Sequence, residues 1–351
     1  MSSSPTKPWN GVVVALTCGS LILLLSLGIR HAFGLFLQPI TVEQVWGRET
    51  FAFALAIQNL VWGASQPFAG MIADRLGARP VVFAGAILYA AGLWLMSVVA
   101  GEGIFVLGAG ILIGLGLSGT TFPVIFGAIS RLVTPEQRSL AMGITMAVGS
   151  FGQFALLPVS LGLMTGLGWQ GALVALSVLA LLMAPLGFGI RYAPAPLASA
   201  AENVTFGQAL RAAFAPRDFW LLTLGFFACG FQVVFIAVHL PAFLADEGLG
   251  GGVATTVLAL IGLVNIVGAY SAGLLGGKHR KPMLLSWIYL ARGVLIAAFV
   301  LLPITTFSAY LFGALMGLFW LSTVPLTNGT VAAVWGVKHM SMLGGIVFFA
   351  H

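Results

Sequence analysis

Long apolar blocks separated by short polar turns run the length of this chain. Blocks of spanning length fall near residues 12–39, 49–73, 80–100, 103–130, 139–164, 168–190, 218–243, 253–276, 282–303 and 305–335. A bilayer core takes about 20 residues of α-helix. Hydrocarbon offers no partner for backbone N–H and C=O groups, so each block is predicted to be a membrane-crossing helix and each turn to lie in water. The pattern predicts ten crossings, and an eleventh block opens near Ser341.

The sparse charges orient these helices. Lys7, Arg75, Arg79, Arg131, Arg138, Arg191, Arg211, Arg217, Lys278, Arg280, Lys281 and Lys338 fall on one side, twelve of the fifteen basic residues. Arg48 falls on the other, with Glu43, Glu49, Glu102, Asp246 and Glu247. Lys and Arg accumulate on the untranslocated side, so the N-terminus is predicted to be cytoplasmic in a multi-pass protein of the inner (plasma) membrane. Arg30 and Arg292 remain, both inside apolar blocks.

One turn carries a motif. Gly70-Met71-Ile72-Ala73-Asp74-Arg75-Leu76-Gly77-Ala78-Arg79-Pro80 is a charged stretch between the second and third blocks. Gly77 permits a turn, Pro80 suits a helix start, and Asp74 can pair with the arginines or sit at a helix N-terminus. The spacing G-x3-D-R-x-G-x-R resembles the loop between helices 2 and 3 of the major facilitator superfamily of transporters. That resemblance implies a conformational latch built from Gly70, Asp74, Arg75, Gly77 and Arg79.

An internal repeat agrees with it. At an offset of 202 residues, Gly28 pairs with Gly230, Phe33 with Phe235, Pro39 with Pro241, Pro80 with Pro282, Pro123 with Pro325, Gly127 with Gly329 and Gly143 with Gly345. These residues shape backbone, and the resemblance implies two pseudo-symmetric six-helix halves with a substrate site between them. The expected organisation is a bundle over 1–191, a cytoplasmic linker over 192–216 and a second bundle over 217–351. Within the linker, Thr205–Arg217 is expected to form a short interfacial helix with Phe206, Leu210 and Phe214 on one face. The offset maps His351 onto Gly149, so the second half is expected to be truncated within its eleventh helix, short by on the order of 40 residues.

Composition narrows the classes. Of 351 residues, 60% are hydrophobic and 7% charged, more apolar surface than a soluble core can bury. The net charge of +6 comes from basic residues scattered singly over turns, which excludes a nucleic-acid surface. Cys18 and Cys229 lie in apolar blocks and read as packing residues. No metal-ligand spacing, nucleophile elbow or phosphate loop occurs, so neither an enzyme nor a cofactor is expected. The expected partners are a small-molecule substrate and the bilayer, with the protein a monomer.

Polar residues at membrane depth are costly and mark function. Ser26-Leu27-Gly28-Ile29-Arg30-His31-Ala32-Phe33-Gly34-Leu35-Phe36-Leu37 resembles helix 1 of the proton-linked monocarboxylate transporters and the oxalate/formate antiporters, which often carry a basic residue where His31 stands. The resemblance implies that Arg30 serves an anion and His31 a proton. The alternative has Arg30 reaching to the outer interface and His31 packing, and both readings stay open here. Arg292 must point inward, as a tie to a neighbouring helix or as a substrate contact. Gln58, Asn59, Thr120, Thr121, Gln153, Gln232, His239, Asn265 and Asn328 complete the candidate set. Asn265 and Ala269 stand where the monocarboxylate transporters carry Asp and Arg, a departure from that branch.

The reading is an all-α secondary transporter that moves a small organic anion by alternating access. A transporter of a neutral solute or drug is one alternative, and a membrane sensor is another.

Overall fold

The computed structural model describes residues 9–98, 101–190 and 206–351, which form helices and the turns between them. Lys7, Arg191 and most of the expected linker lie outside the described residues. The first crossing is α1 (Trp9–His31), which loosens into a 3₁₀ turn over Ala32–Phe36 and resumes as α2 (Leu37–Glu43). Next come α3 (Arg48–Leu76) and α4 (Ala78–Ser97). The fourth crossing is interrupted: α5 (Glu102–Phe105), a π-helical stretch over Val106–Leu112, α6 (Ile113–Thr120) and α7 (Phe122–Ser130).

The fifth and sixth crossings run as one helix, α8 (Arg138–Leu181), bent back at Gly168 and followed by α9 (Met183–Gly187). After α10 (Phe206–Phe214) come α11 (Arg217–Asp246), α12 (Gly251–Lys278) and α13 (Lys281–Leu301). The tenth crossing is split into α14 (Thr306–Phe319) and α15 (Thr323–Val334), and α16 (Met340–Phe349) follows. Eight helical stretches among the described residues are long and apolar enough to span a membrane, and the α8 stretch holds two passes. Helix α3 is 29 residues long yet more polar, and its Gln58 and Gln66 are buried. Their amides therefore face protein rather than lipid, and the crossing predicted over 49–73 is retained.

The charged turn predicted over 70–80 is tighter than expected. Helix continues through Asp74 and Arg75 to Leu76, and Gly77 at φ 89° makes the whole reversal before α4. That φ favours glycine because a Cβ there would clash with the backbone. Asp74 and Arg75 thus sit on a rigid last turn, where their positions are set by the helix.

The two interrupted crossings break close to repeat-equivalent places, each shortly before a repeat-paired proline. Thr121, with extended φ and ψ of −118° and −164°, separates α6 from α7, and residues 320–322 separate α14 from α15. Pro123 and Pro325 follow the breaks, and each lacks the N–H that would continue the helical ladder through them.

Packing brings the early and late parts of the chain together at the end that carries the basic loops. Helix α3 lies along α16, and α8 lies along α12. Gly143 and Gly273 bring the second pair almost into backbone contact: a Cβ on Gly143 would lie 2.7 Å from the Gly273 Cα. At Gly34, toward the opposite end, a Cβ would meet nothing within 4 Å. There Glu43 instead closes α2 on its own neighbours, accepting from Trp169 Nε1 at 2.5 Å and Gln170 Nε2 at 2.7 Å.

Helix α10 is where the amphipathic stretch predicts one. Leu210 and Phe214 pack against the core, and Phe214 meets the Phe219 and Trp220 rings at 5.4 and 5.2 Å. The side chain of Phe206 lies outside the described residues.

Candidate functional site

The basic-loop end holds a polar cluster that ties the second and fourth crossings to α16. Asp74 pairs with Arg131, which follows the end of α7, and the two side chains are only 3% and 5% exposed. The carboxylate also accepts the backbone N–H groups of Ser341 and Met342 at 3.3 and 2.9 Å. These amides belong to the first turn of α16, which has no partner within its own helix, and a negative charge there opposes the helix dipole favourably. Arg131 continues past Asp74 to the carbonyls of Val337 and Lys338, at 3.3 and 3.1 Å. One ion pair therefore holds both the donors and the acceptors of the turn leading into α16.

The other residues of the 70–80 motif flank this arrangement. A Cβ on Gly70 would fall on the Ser341 carbonyl, so only glycine allows α3 to approach α16 so closely. Arg79 lays its guanidinium 3.8 Å from the centre of the Phe188 ring, tying the start of α4 to the residue after α9. Arg75, beside Asp74, lines a cavity of about 220 Å³ with Lys338, His339 and Met342. Sequence reasoning counted Arg131 as one of many loop charges. No local signal marks it as the partner of Asp74, because the pairing spans separate helices.

Arg30 and His31 sit where α1 loosens into its 3₁₀ turn. Arg30 turns inward onto α3: its Nη2 donates to Asn59 Oδ1 at 2.5 Å, and its guanidinium carbon lies 4.8 Å from the centre of the Trp62 ring. Its Nε is buried with no partner, and among the described residues no carboxylate pairs with it. His31, the next residue, is exposed. Below them, Trp62 Nε1 and Gln66 Nε2 donate to Thr121 Oγ1 at 3.0 and 2.9 Å, and Thr121 donates to the Leu117 carbonyl at 2.7 Å. Helix α3 thereby supports the break between α6 and α7. Gln58 donates to the Ala109 carbonyl at 2.6 Å, satisfying backbone of the π-helical stretch.

Arg292 and Asn265 do the matching work at the second break. Arg292, 1% exposed, donates through Nη2 to the carbonyls of Phe319 and Trp320, and through Nη1 to Cys229 Sγ at 3.1 Å. Gln232 Oε1 stands at the 3.5 Å limit of the same Nη1. Asn265 accepts the Leu321 N–H at 2.9 Å and donates to Ser150 of α8 at 2.8 Å. Together they satisfy the backbone groups released where α14 ends. The Asn265–Ser150 bond also crosses between α12 and α8.

The remaining candidates are dispersed. Thr120 shares a hydrogen bond with Ser26 at 2.8 Å, inside the first group of helices. Asn328 donates to the Val324 carbonyl of its own helix at 3.0 Å. Gln153 is half-buried on α8, and His239 is exposed on α11 with its ring 4.7 Å from that of Phe235. The candidates thus separate into a cluster around Arg30 and Asn59, a backbone-supporting cluster around Arg292 and Asn265, and isolated positions.

Comparison with known proteins fits this architecture. The sequence profile of the Major Facilitator Superfamily matches residues 10–351. Mouse monocarboxylate transporter 11 is 27% identical over 292 residues, covering 81% of this chain and 64% of the relative. Rat monocarboxylate transporter 13 is 28% identical over 281 residues, covering 78% and 63%. The matched region is therefore a little under two thirds of the length of these relatives. An uncharacterised transporter of the superfamily from Bacillus subtilis, YcxA, is 25% identical over 340 residues, covering 92% of this chain and 80% of its own. Among solved structures, the transporter FucP in its outward conformation superposes with a TM-score of 0.77 at 16% identity, over 96% of this chain and 88% of FucP. The helical membrane architecture, the G-x3-D-R-x-G-x-R motif where α3 turns into α4 and the profile match along nearly the whole sequence lead to one assignment: this chain belongs to the Major Facilitator Superfamily.

Proposed function

We propose that the protein is a secondary active transporter that moves a small organic anion by alternating access, with Arg30 as the counter-charge. One observation carries the reading. A guanidinium at membrane depth has no carboxylate beside it among the described residues, keeps a buried Nε without a partner, and adjoins the exposed His31 and Asn59. A half-buried guanidinium in that state is stabilised by an anion from outside the chain. The likeness to monocarboxylate transporters favours a carboxylate over other anions. In this reading Asp74 and Arg131 latch the basic-loop end, and the bundles over 1–191 and 217–351 rock about the site.

Arg30→Gln should weaken carboxylate binding by one to two decades, since a charged hydrogen bond contributes about 1.5–3 kcal/mol. Arg30→Lys should recover only part, because an ammonium cannot make a planar two-point contact. The measurement is radiolabelled binding per inserted molecule, and unchanged affinity in Arg30→Gln would move the assignment to a neutral solute. His31 supplies a protonatable group beside the site, so uptake should rise toward acid pH and flatten in His31→Gln. We assign the basic-loop end to the cytoplasm. Cysteines at Arg280 and Glu102 test this, and faster labelling at position 280 from outside intact cells would reverse the orientation.

A further inference from the structure

The turn between α12 and α13 is a partial copy of the 70–80 motif. At the 202-residue offset Arg79 maps onto Lys281 and Pro80 onto Pro282, so the basic charge and the proline of the helix start recur. Asp74 maps onto Gly276, where a Cβ would already lie 2.6 Å from Leu326 Cδ2 and 3.1 Å from Ser139 Oγ. That place has no room for a carboxylate. Lys278, Arg280 and Lys281 therefore share a turn that holds no acid of its own. Glu136, whose backbone carbonyl comes up to Gly277, has Arg138 as its charged neighbour. Among the described residues no carboxylate stands within ion-pair distance of the three cations.

Beside this turn a groove runs into the membrane-spanning part. It holds about 440 Å³ and is lined by Leu275 of α12, Leu284, Trp287 and Ala291 of α13, and Phe319 and Leu326 of α14 and α15. Helix α13 packs on α14 and α15, and its separation from α12 opens the groove. Helical register puts the cations over its mouth. Lys278 lies three residues beyond Leu275 and Lys281 three before Leu284, spacings that share a helix face. The Lys281 stem also crosses α15 at Gly329, one turn beyond Leu326. From Lys281 to Ala291 the helix rises about 15 Å, half the roughly 30 Å of a bilayer's hydrocarbon. One leaflet's acyl chain has that reach.

We propose that this groove seats an anionic phospholipid, with an acyl chain along α13 and its phosphate on Lys278, Arg280 and Lys281. The groove opens on hydrocarbon, so its occupant there is apolar. A basic mouth between membrane helices selects a negative headgroup. A zwitterionic lipid brings an ammonium that answers its own phosphate, whereas phosphatidylglycerol leaves the phosphate to the protein.

The test is quenching of tryptophan fluorescence by brominated lipid. The protein and its Trp287→Phe variant are reconstituted in phosphatidylcholine vesicles containing increasing dibrominated phosphatidylglycerol or, in parallel, dibrominated phosphatidylcholine. The difference between the two proteins isolates Trp287, which is 58% exposed, from the other tryptophans. Half-quenching of Trp287 should need roughly tenfold less brominated phosphatidylglycerol than brominated phosphatidylcholine. Combining Lys278→Gln, Arg280→Gln and Lys281→Gln should bring the two lipids together. Ala291→Phe, which fills the groove and leaves the charges, should also abolish the preference. Equal quenching by the two lipids in the unsubstituted protein overturns the proposal, as does a preference retained after neutralisation. A preference that survives Ala291→Phe overturns the groove as the seat and leaves attraction by the turn alone. If the variants do not fold, salt decides. At about 1 M the screening length falls to roughly 3 Å, and a preference undiminished there overturns the headgroup contact.

Discussion

Asp74 and Met342 are 268 residues apart in the chain, yet the carboxylate of one accepts the backbone N–H of the other at 2.9 Å. A side chain on the last turn of α3 thereby caps a helix from the far end of the sequence. Arg131, paired to the same carboxylate, grips the two carbonyls just before that helix. The closed basic-loop end depends on this joint.

Loss of the charge should loosen that end while leaving the protein inserted. Removing one partner of a buried pair costs about 3–5 kcal/mol. In Asp74→Asn, spin labels at Leu76 and Val334 should report a shift toward longer separations, with slower transport. Arg131→Gln should act alike, and the double variant should cost less than the two single changes added together. Separations unchanged in Asp74→Asn would reduce the cluster to a topology signal.

The Gly143–Gly273 contact offers an independent handle on the same seam. A Cβ built on Gly273 would stand 2.6 Å from the Gly143 Cα, so Gly273→Val must push α8 and α12 apart. Overpacking of this kind costs about 1–3 kcal/mol, borne only by the closed arrangement. Labels on the two helices should move apart and transport should fall, while expression is maintained. A seam of unaltered width in Gly273→Val would mean that the helices can slide to absorb the methyls.

Arg292 should prove structural. Arg292→Met removes the donors to Phe319 and Trp320, and a charged hydrogen bond contributes about 1.5–3 kcal/mol. Thermal inactivation should come at lower temperature, Arg292→Lys should be intermediate, and affinity of the surviving protein for carboxylates should match the parent. Normal stability with weakened binding would make Arg292 a substrate contact instead.

Val45 carries backbone strain at the end opposite the basic loops. It is β-branched, 91% exposed, and sits at φ 56°, in the left-handed region. That conformation costs an L-residue roughly 1–2 kcal/mol, and Asn bears it better than Val. Val45→Asn should raise the midpoint of thermal inactivation without changing transport. A lower midpoint would show that the Val45 side chain contributes more than its exposure suggests.

The helices were legible because membrane insertion is decided locally. Apolar length alone placed the crossings and the α10 stretch showed its apolar face, whereas the breaks beside Pro123 and Pro325 were not read from the sequence. The charged turn was recognised, but its extent was not. Gly77 could mark a reversal, whereas only packing against α16 explains why helix persists through Asp74 and Arg75.

The candidate site was legible by residue type and illegible by partner. Arg30, Arg292 and Asn265 stood out because polar groups in hydrocarbon must be satisfied by something. Nothing in their neighbours along the chain says by what. Arg292 meets carbonyls that became available only because α14 stops at Phe319, and Asn265 meets Ser150 only because α8 crosses α12. Arg30 meets Trp62 and Asn59 because its long side chain reaches from α1 to α3 there. Hydropathy acts along the chain and determined which segments enter the membrane. Hydrogen bonds and ion pairs act over a few ångströms in space, so only the tertiary structure decided which of those buried polar groups meet.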